Sequence, residues 1–485
     1  RPKQMCKAKK TTRCRLTALL CIICTVLILP AHLTYAESTP ATQQDTQPDI
    51  VVILADDQSY GDFGFMGNRS VSTPHLDQLA AESARFPNGY VPMSVCRPSL
   101  ATFLTGLYPH QHGVYFNHPP PGLRDLRALS GEDYRARRQA AERLVGSLPT
   151  LPRLLARQGY QCLQTGKHWE GDYRNAGFTA GMTTGLPAAD HDWLHGTRQQ
   201  ENGEWVAHGN GDQGLIIGRT TMQPIRDFVQ THPEDPLLIW YAPFLPHAPF
   251  DAPEKYHQQL ADQSIPDHLR DYYAEIARFD ATVGELRSIL EEAGRSRNTV
   301  YVFASDNGFQ PRTDGTERAD GRSKLSVYEN GLRTPILIHW PAKIPPADYP
   351  QVVQTIDLFP TILAIAGTEN TEGPEFPGQN LLPAITGKAE LVDRPAFGAI
   401  YPNDATSLSH PEQHANAVWC RSGNWKLVLS ANGPNPLPSA LYNLNEDPQE
   451  KHNLFGKPES LFIQHELTSL ISHWWPYRDW ELPEN

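Results

Sequence analysis

Cysteine is scarce in this chain once its first 36 residues are set aside. Four of the seven cysteines lie in that leader, and Cys96, Cys162 and Cys420 remain in the body. Three cysteines do not form a disulfide framework, and the sequence leaves open both a Cys162–Cys420 bridge and two unpaired buried thiols. In either case Cys96 is left over, which is typical of a cysteine with a chemical role.

The body of the chain also lacks an excess of basic residues, and it has no internal repeats. All 485 residues together carry a formal net charge of −12. The leader holds seven Lys and Arg and no acid, so 35 basic and 54 acidic residues remain, a balance of −19. An acidic body argues against nucleic acid as a partner, and an anionic substrate would need a local basic pocket.

The leader has the pattern of a secretory signal peptide over residues 1–36. Basic residues come first, an apolar run over residues 16–29 follows, and small residues end the leader at Ala36. Because the apolar run is long for a signal peptide, a retained membrane anchor is the alternative. A polar linker over residues 37–48 comes next. We therefore expect an exported protein, periplasmic or extracellular, that has no membrane attachment after the leader is cleaved.

Strand and helix patterns alternate from residue 49 onwards. Strands are predicted at 49–55, 160–165, 237–241, 299–304 and 336–340, and helices at 74–85, 96–104, 150–158 and 269–293. This alternation predicts an α/β domain over residues 49–394 with a large, mostly parallel, helix-covered sheet. Short strands at 417–421 and 425–430 and a helix near 460–474 predict a smaller antiparallel α+β subdomain over residues 395–485. Residues 122–146 have the pattern of a surface insertion, and residues 171–214 that of a loop near the site.

Two pairs of oxygen-bearing side chains follow two predicted strands. Asp56 and Asp57 come after the first strand, and Asp306 and Asn307 come after the strand at 299–304. Ligands of open α/β sheets gather beyond the carboxyl ends of the strands. Three carboxylates and an amide suit Ca²⁺, or as second choice Mg²⁺, better than Zn²⁺. Either pair alone would also suit a turn or a cap, but together they predict one cation site.

Cys96 begins the motif Cys-Arg-Pro-Ser-Leu, and the apolar run that follows ends at Thr105-Gly106. Pro98 and Ser99 suit the first turn of a helix, so the Cys96 side chain is predicted to lie at a helix N-terminus. Free backbone N–H groups and the positive end of the helix dipole favour an anion there. The alternative is an ordinary capped helix with a buried cysteine.

This stretch resembles the signature of the formylglycine-dependent sulfatases, type I enzymes of the alkaline phosphatase-like superfamily. In that family Cys-x-Pro-Ser-Arg precedes a similar helix that ends in Thr-Gly. The two acidic pairs match the family's pattern, as do Lys324-to-Pro335 and the run that ends at Leu454. One position departs, because Leu100 stands where the family has arginine and the nearby arginine is Arg97. The resemblance spans residues 48–455 and implies an alkaline phosphatase-like fold.

Two shorter motifs resemble the same family. Pro246-His247-Ala248-Pro249 is similar to its Pro-His-x-Pro loop, whose histidine contacts the sulfate or the leaving oxygen. Gly166-Lys167-His168-Trp169 is similar to its Gly-Lys-Trp-His segment, with the last two residues exchanged. Lys167 therefore carries over directly. His168 is a further candidate, although a shift by one residue along an extended segment turns a side chain to the opposite face.

The resemblance implies that a formylglycine-generating enzyme oxidises Cys96 to formylglycine. Cys96, Asp56, Asp57, Asp306 and Asn307 would then bind one Ca²⁺. One hydroxyl of the hydrated aldehyde attacks sulfur, and the second is deprotonated and expels sulfate. A thiol cannot play both parts, so the modification is essential to this chemistry.

The remaining candidates would act on the charges that develop during the reaction. Lys167 and Lys324, together with the helix N-terminus, would stabilise the sulfuryl oxygens, and His247 would protonate the leaving alcohol. The implied activity is that of a sulfuric ester hydrolase acting on a sulfated carbohydrate or an aryl sulfate. The alternatives are a phosphodiesterase or phosphonate hydrolase of the same superfamily, and an unmodified, inactive carbohydrate-binding relative. Leu100 bears on the last alternative, because the family's arginine helps the modifying enzyme to recognise the cysteine.

Overall fold

A central sheet of nine strands carries most of the candidate residues at one of its edges. The computed structural model describes residues 47–185, 197–199, 205–207, 212–368 and 374–480. The predicted signal peptide and nearly all of the predicted linker lie outside these residues. None of the described helices is long and apolar enough to cross a bilayer.

The described residues contain the following strands: β1 (Asp49–Ala55), β2 (Ala84–Tyr90), β3 (Gln161–Gly166), β4 (Ala180–Gly181), β5 (Thr197–Gln199), β6 (Trp205–Ala207), β7 (Leu237–Ala242), β8 (Thr299–Ser305), β9 (Arg333–His339), β10 (Ala347–Asp348), β11 (Val353–Gln354), β12 (Ala396–Ile400), β13 (Ala417–Ser422), β14 (Trp425–Ser430) and β15 (Ala440–Asn443). The α-helices are α1 (Pro74–Ala81), α2 (Cys96–Thr105), α3 (Pro109–His112), α4 (Leu123–Leu126), α5 (Gly131–Glu142), α6 (Leu151–Ala156), α7 (Gln223–Thr231), α8 (Glu254–Gln258), α9 (Asp267–Glu292), α10 (Glu329–Leu332), α11 (Leu358–Ile365), α12 (Leu382–Ile385) and α13 (Leu461–Trp474).

The large sheet is mostly parallel, as predicted. Its strand order is β10-β2-β9-β8-β1-β7-β3-β4, and β11 also pairs with β2. β1 lies parallel to both β7 and β8, and β3 lies parallel to β7. β9 is the exception, because it runs antiparallel to both of its neighbours, β8 and β2.

Strand β1 shows why the sheet is covered on both faces. All seven of its residues are buried, and successive side chains of a strand point to opposite faces. Ile50, Val52 and Leu54 pack with apolar residues of α2, α6 and α11, whereas Val51 and Ile53 pack with those of α1, α7 and α9. A continuous apolar run is the pattern of a strand that is buried on both faces.

Two of the sequence-based assignments are wrong in part. The helix predicted over residues 74–85 ends at Ala81, because Ala84 and Arg85 begin β2. β2 has the sequence Ala-Arg-Phe-Pro-Asn-Gly-Tyr, whose central residues are depleted in strands, so it has no strand pattern. The insertion predicted to lie on the surface also contributes to the interior, since Tyr134, Arg138 and Ala141 of α5 are buried.

The C-terminal region contains a separate antiparallel sheet in the order β12-β13-β14-β15. Leu467 and Ile471 of α13 pack in one cluster with Val418 and Leu427 of that sheet. The two predicted strands and the terminal helix are therefore present, while the domain boundary at residue 395 stays a prediction. All three cysteines of the body are buried and free, so there is no Cys162–Cys420 bridge. The loop predicted over residues 171–214 falls partly outside the described residues.

Candidate active site

The carboxyl ends of four neighbouring parallel strands meet at one edge of the large sheet. Asp56 and Asp57 follow β1, and Asp306 and Asn307 follow β8. Lys167 follows β3 on the other side of β7. The loop that leaves β7 carries His247. Parallel pairing of these strands therefore brings together residues that are far apart in sequence.

The acidic residues form one buried cluster. The ligand atoms of Asp56, Cys96 and Asp306 all lie within 4.8 Å of one another. The backbone N–H of Asp57 donates to Asp306 Oδ1 at 3.0 Å, and Asn307 Nδ2 donates to Asp57 Oδ1 at 2.6 Å. Asp57 adopts a left-handed backbone conformation with φ of 66°. This conformation is uncommon outside glycine and is tolerated best by Asp and Asn.

Each of two lysines makes a two-oxygen contact with one carboxylate. Lys167 Nζ lies 2.8 Å from both oxygens of Asp56, and Lys324 Nζ lies 2.7 and 2.8 Å from those of Asp57. Burial lowers the pKa of both lysines, but the carboxylates outweigh it and leave each pKa above its ordinary value. Burial likewise raises the pKa of Asp57, yet Lys324, His247 and Lys167 hold it at about 2. These groups are therefore charged at neutral pH.

Cys96 is the first residue of α2, where the sequence predicted a helix N-terminus. Its Sγ lies 3.8 Å from Asp56 Oδ1 and 3.9 Å from Asp57 Oδ1. Burial raises the pKa of this thiol, and the opposing effect of Lys167 and Lys324 is smaller. The unmodified thiol is thus protonated at neutral pH, although it lies beside two ammonium groups.

His247 approaches the same cluster from the loop after β7. Its Nε2 lies 3.5 Å from Asp57 Oδ2, its Nδ1 lies 2.6 Å from the carbonyl oxygen of Ala248, and its ring stacks on Phe244. Burial lowers the pKa of His247 to about 4. The imidazole is therefore neutral at pH 7, with its proton on Nδ1 for the hydrogen bond to Ala248 and an unprotonated Nε2 toward the cluster.

His168 does not join the cluster. Lys167 points toward Asp56, and adjacent side chains of an extended segment point to opposite sides. The His168 ring instead lies edge-on to Phe178, and the charges that act on it come from Glu170, Arg97 and Asp172. The exchange of His and Trp in this motif therefore moves the histidine away from the site, and we withdraw it as a catalytic candidate.

Arg97 does not reach the site in place of the missing arginine. Its side chain is fully buried, with Nε 2.9 Å and Nη2 2.7 Å from the two carboxylate oxygens of Glu170. Leu100, at 4% exposure, packs in the apolar cluster between the sheet and α11. Sequence reasoning did not identify Glu170 as the partner of Arg97. The sequence feature that could have indicated this pair is Glu170 itself, an acidic residue four positions after Gly166 in the same motif.

Two buried oxygens of the cluster have no hydrogen-bond donor among the described residues, namely Asp306 Oδ2 and Asn307 Oδ1. Buried acceptors without donors are rare, and hard oxygen ligands suit Ca²⁺ or Mg²⁺. Burial and the neighbouring Asp56 raise the pKa of Asp306 well above its ordinary value. A divalent cation would favour the ionised Asp306 carboxylate and satisfy the two oxygens, so the residues present fit such an ion.

Comparison with known proteins identifies the family. The family model described as sulfatase matches residues 48–368, and that described as N-sulphoglucosamine sulphohydrolase, C-terminal, matches residues 322–474. The chain belongs to the sulfatase family. It is accordingly a sulfuric ester hydrolase, as the resemblance in the sequence implied.

Individual sulfatases support this assignment along most of the chain. Mouse N-acetylgalactosamine-6-sulfatase is 28% identical over 78% of this chain and 73% of its own length. Bovine arylsulfatase A is 28% identical over 85% of this chain and 84% of its own length. The crystal structure titled Ps i-CgsB has a TM-score of 0.66 at 24% identity and covers 88% of this chain and 93% of its own, which shows the shared fold.

Proposed function

We propose that this sulfatase is an exported enzyme that uses a formylglycine made from Cys96 and a bound divalent cation, Ca²⁺ in the first instance. The observation that carries the proposal is the position of the Cys96 side chain. It lies at the N-terminus of α2, within 4 Å of carboxylates of both Asp56 and Asp57, and each of these is paired with a lysine. Export rests on the composition of the leader.

The residues that would hold the cation are Asp56, Asp57, Asp306, Asn307 and the oxidised Cys96. The unsatisfied oxygens of Asp306 and Asn307 support this assignment. When bound, such an ion supplies Lewis-acid polarisation of a sulfuryl oxygen and lowers the pKa of a hydroxyl group. Without it, Lys167 and Lys324 stay paired with Asp56 and Asp57, which opposes their contact with a sulfate ester.

Cys96 itself is a poor nucleophile as a thiol, because burial keeps it protonated. Oxidation to formylglycine would replace the thiol with an aldehyde, whose hydrate carries the two hydroxyl groups that attack at sulfur and release of sulfate require. A formylglycine-generating enzyme is therefore a necessary partner during maturation. Leu100 occupies the position of the family's arginine, which helps the modifying enzyme to recognise the cysteine. The efficiency of that modification is therefore the first quantity to measure.

The other side chains act on the charges of the substrate. Lys167 and Lys324 are compact point charges that can neutralise sulfuryl oxygens once a cation relieves them of their carboxylates. His247 presents Nε2 to the cluster and is the candidate donor for the leaving oxygen. It is neutral in the free protein, and the negative charge of a bound sulfate ester would raise its pKa and favour the protonated ring.

The substrate class is suggested by the names of the relatives. One is an N-acetylgalactosamine-6-sulfatase and another an arylsulfatase. We therefore propose a sulfated carbohydrate or an aryl sulfate as the substrate of this chain. A carbohydrate agrees with export, since an exported enzyme meets extracellular sulfated polysaccharides.

The test is a comparison of Cys96→Ala with Cys162→Ala, both expressed with a formylglycine-generating enzyme. Cys162 is a matched control, because it is buried and free in the apolar core and its Sγ lies beside backbone carbonyls of Pro152 and Tyr160. We expect Cys96→Ala to abolish hydrolysis of 4-nitrophenyl sulfate and Cys162→Ala to retain it. Mass spectrometry of the wild-type Cys96 peptide should show the aldehyde.

Three outcomes would contradict the proposal. A Cys96 peptide that carries only thiol in protein from the native source would exclude the formylglycine mechanism. Hydrolysis by Cys96→Ala at the wild-type rate would exclude Cys96 as the nucleophile. Faster turnover of a phosphate diester or a phosphonate ester than of any sulfate ester would favour the related hydrolase activity instead.

A further inference from the structure

Arg219 is hydrogen-bonded to the backbone of the segment that carries His247. Its Nε donates to the carbonyl oxygen of Phe244 at 2.8 Å, and its Nη2 donates to those of His247 at 2.7 Å and Pro249 at 3.2 Å. One guanidinium thus holds three carbonyl groups within residues 244–249. The planar guanidinium of arginine carries five N–H donors in a fixed geometry, so it suits several carbonyl acceptors at once. The single ammonium group of a lysine lacks this geometry.

A network of hydrogen bonds and ion pairs joins Arg219 to Asp251, in the same loop as His247, and to Arg278 and Glu275 of α9. Its Nη1 lies 2.5 Å from Asp251 Oδ1, and Arg278 Nη1 lies 2.9 Å from the same oxygen. Arg278 Nη2 donates to the carbonyl oxygen of Arg219 at 2.8 Å, and the N–H of Asp251 donates to Glu275 Oε1 at 2.7 Å. The side chains of Arg219, Arg278 and Glu275 are buried, whereas that of Asp251 is 42% exposed. A network in which each polar group has a partner favours one arrangement of its members.

The contacts that orient the His247 ring lie within the segment that Arg219 holds. The Nδ1–H group donates to the carbonyl oxygen of Ala248, which lies between the two carbonyls bound by Nη2. The ring stacks on Phe244 with centroids 4.3 Å apart, and the carbonyl of Phe244 is the third partner of Arg219. The Arg219 guanidinium also lies 5.5 Å from the centroid of the Phe244 ring. Displacement of this backbone would therefore move the imidazole relative to Asp57.

We propose that Arg219 is a positioning residue of this sulfatase that fixes the His247 imidazole against the catalytic cluster. The inference rests on the proposed function, because it requires His247 to act on the substrate. We assign Arg219 a positioning role, because its guanidinium contacts the backbone of the loop that carries His247 and the carboxylate of Asp251. Its effect on turnover is exerted through His247.

A displacement of about 1 Å can cost about 100-fold in rate. We therefore expect Arg219→Met to lower kcat by about 10- to 100-fold and to leave KM within about threefold, because the groups that bind sulfate are unchanged. Arg219→Lys keeps the charge but not the planar fork, so its kcat should fall between those of Arg219→Met and the wild type. Arg226→Met is the matched control, since Arg226 on α7 pairs with Glu285 and Glu292 and is more exposed.

The decisive experiment is a double-mutant cycle on the formylglycine-bearing enzyme with 4-nitrophenyl sulfate. It uses the wild type, Arg219→Met, His247→Ala and the double variant. Residues that act as a unit show strongly non-additive losses. We expect the double variant to match His247→Ala within about twofold in kcat, which is a readout that a merely structural role would not produce.

Each other outcome overturns the inference in a distinguishable way. An equal fractional loss from Arg219→Met in the wild-type and His247→Ala backgrounds would show that Arg219 supports the fold as a whole. If Arg219→Met does not fold, the same cycle with Arg219→Lys decides the question, and wild-type kcat in that variant would overturn the inference. If His247→Ala leaves kcat unchanged, the role of His247 and this inference fail together, while the nucleophilic role of Cys96 stands.

Discussion

Lys324 covers the carboxylate of Asp57, with its ammonium nitrogen 2.7 Å from Oδ1 and 2.8 Å from Oδ2. Asn307 Nδ2 reaches the same Oδ1 at 2.6 Å. From the sequence alone, Lys324 could be treated as a solvated charge that adds little to stability. The structure contradicts that treatment, because both partners of the pair are largely buried.

We therefore predict that Lys324→Met affects stability as well as turnover. Without a cation the variant leaves a buried carboxylate unpaired, which should cost about 3–5 kcal/mol in the free energy of unfolding. Added CaCl2 should restore most of this loss, because the cation takes over the compensation of Asp57. Urea unfolding in EDTA and in CaCl2 measures both values. Lys388→Met, at an exposed position, is the control, and an equal loss in the two buffers would contradict the prediction.

Asp306→Asn tests the cation site with little change in shape. Oδ1 of Asp306 accepts the N–H groups of Asp57 and Asn307, and an amide oxygen can still accept both. The variant puts an NH₂ group at the position of the unsatisfied Oδ2 and removes one negative charge. Calcium affinity depends on the number of charged ligands, so we expect the Kd for Ca²⁺ to rise at least about 10-fold in a calorimetric titration. Asp314→Asn, in an exposed loop, should bind Ca²⁺ as the wild type does.

The sequence predicts the strands that are buried on both faces, because a continuous apolar run has few other interpretations. β1, β7 and β8 all fall within one residue of their predicted bounds. β2 was not predicted, since its Pro-Asn-Gly centre is tolerated through pairing with β9, β10 and β11. The pairing with β9 includes a register shift between Phe86 and Gly89. Stabilisation of a strand by its pairing partners cannot be read from the strand propensities of its own residues.

The candidate site could likewise be predicted from the sequence only in part. Strand-end residues such as Asp56 and Asp306 could be predicted to meet, because parallel pairing fixes where strands end. The sequence left the direction of the His168 side chain open, and in the structure it turns away from the cluster. Arg97, which helix geometry already directs to another side than Leu100, also turns away. Arg219 was not identified at all, because its ligands are backbone carbonyls, and any sequence presents those.

Leu100→Arg tests the position at which this chain departs from its family. In a host with a formylglycine-generating enzyme, the variant should raise the fraction of Cys96 converted to formylglycine, measured by mass spectrometry of the tryptic peptide. Its melting temperature should fall, because Leu100 is buried among apolar side chains such as Phe103 and Phe359 and a guanidinium there loses its hydration. The two readouts should therefore move in opposite directions.

The matched control for this change is Leu104→Arg. Leu104 is buried in the same apolar cluster, one turn further along α2, so the variant should lose stability without a gain in conversion. A wild-type conversion fraction in Leu100→Arg would show that this position does not limit the modification.

The last prediction concerns the pH dependence of stability and His168. Burial, assisted by Arg97, lowers the pKa of this 3% exposed side chain to about 4 against the opposing effects of Glu170 and Asp172. The unfolded value is about 6.5. Between these values the unfolded state binds a proton that the folded state does not, so the free energy of unfolding falls as the pH is lowered through this window. The contribution amounts to about 3 kcal/mol at pH 4 relative to pH 7.

His168→Phe should therefore lose less stability than the wild type between pH 7 and pH 4.5, as measured by urea unfolding at each pH. Because His168 lies outside the catalytic cluster, the variant should also keep its kcat at pH 7, whereas His247→Ala should not. His452→Gln is the control, since His452 is exposed and its replacement should leave the pH dependence close to that of the wild type. Burial also lowers the pKa of partly buried His110 and of buried His112 and His118, so part of the acid sensitivity should remain in His168→Phe. Equal losses in the wild type and His168→Phe would mean that His168 takes up its proton in the folded state, which requires an acceptor for its unpaired Nε2.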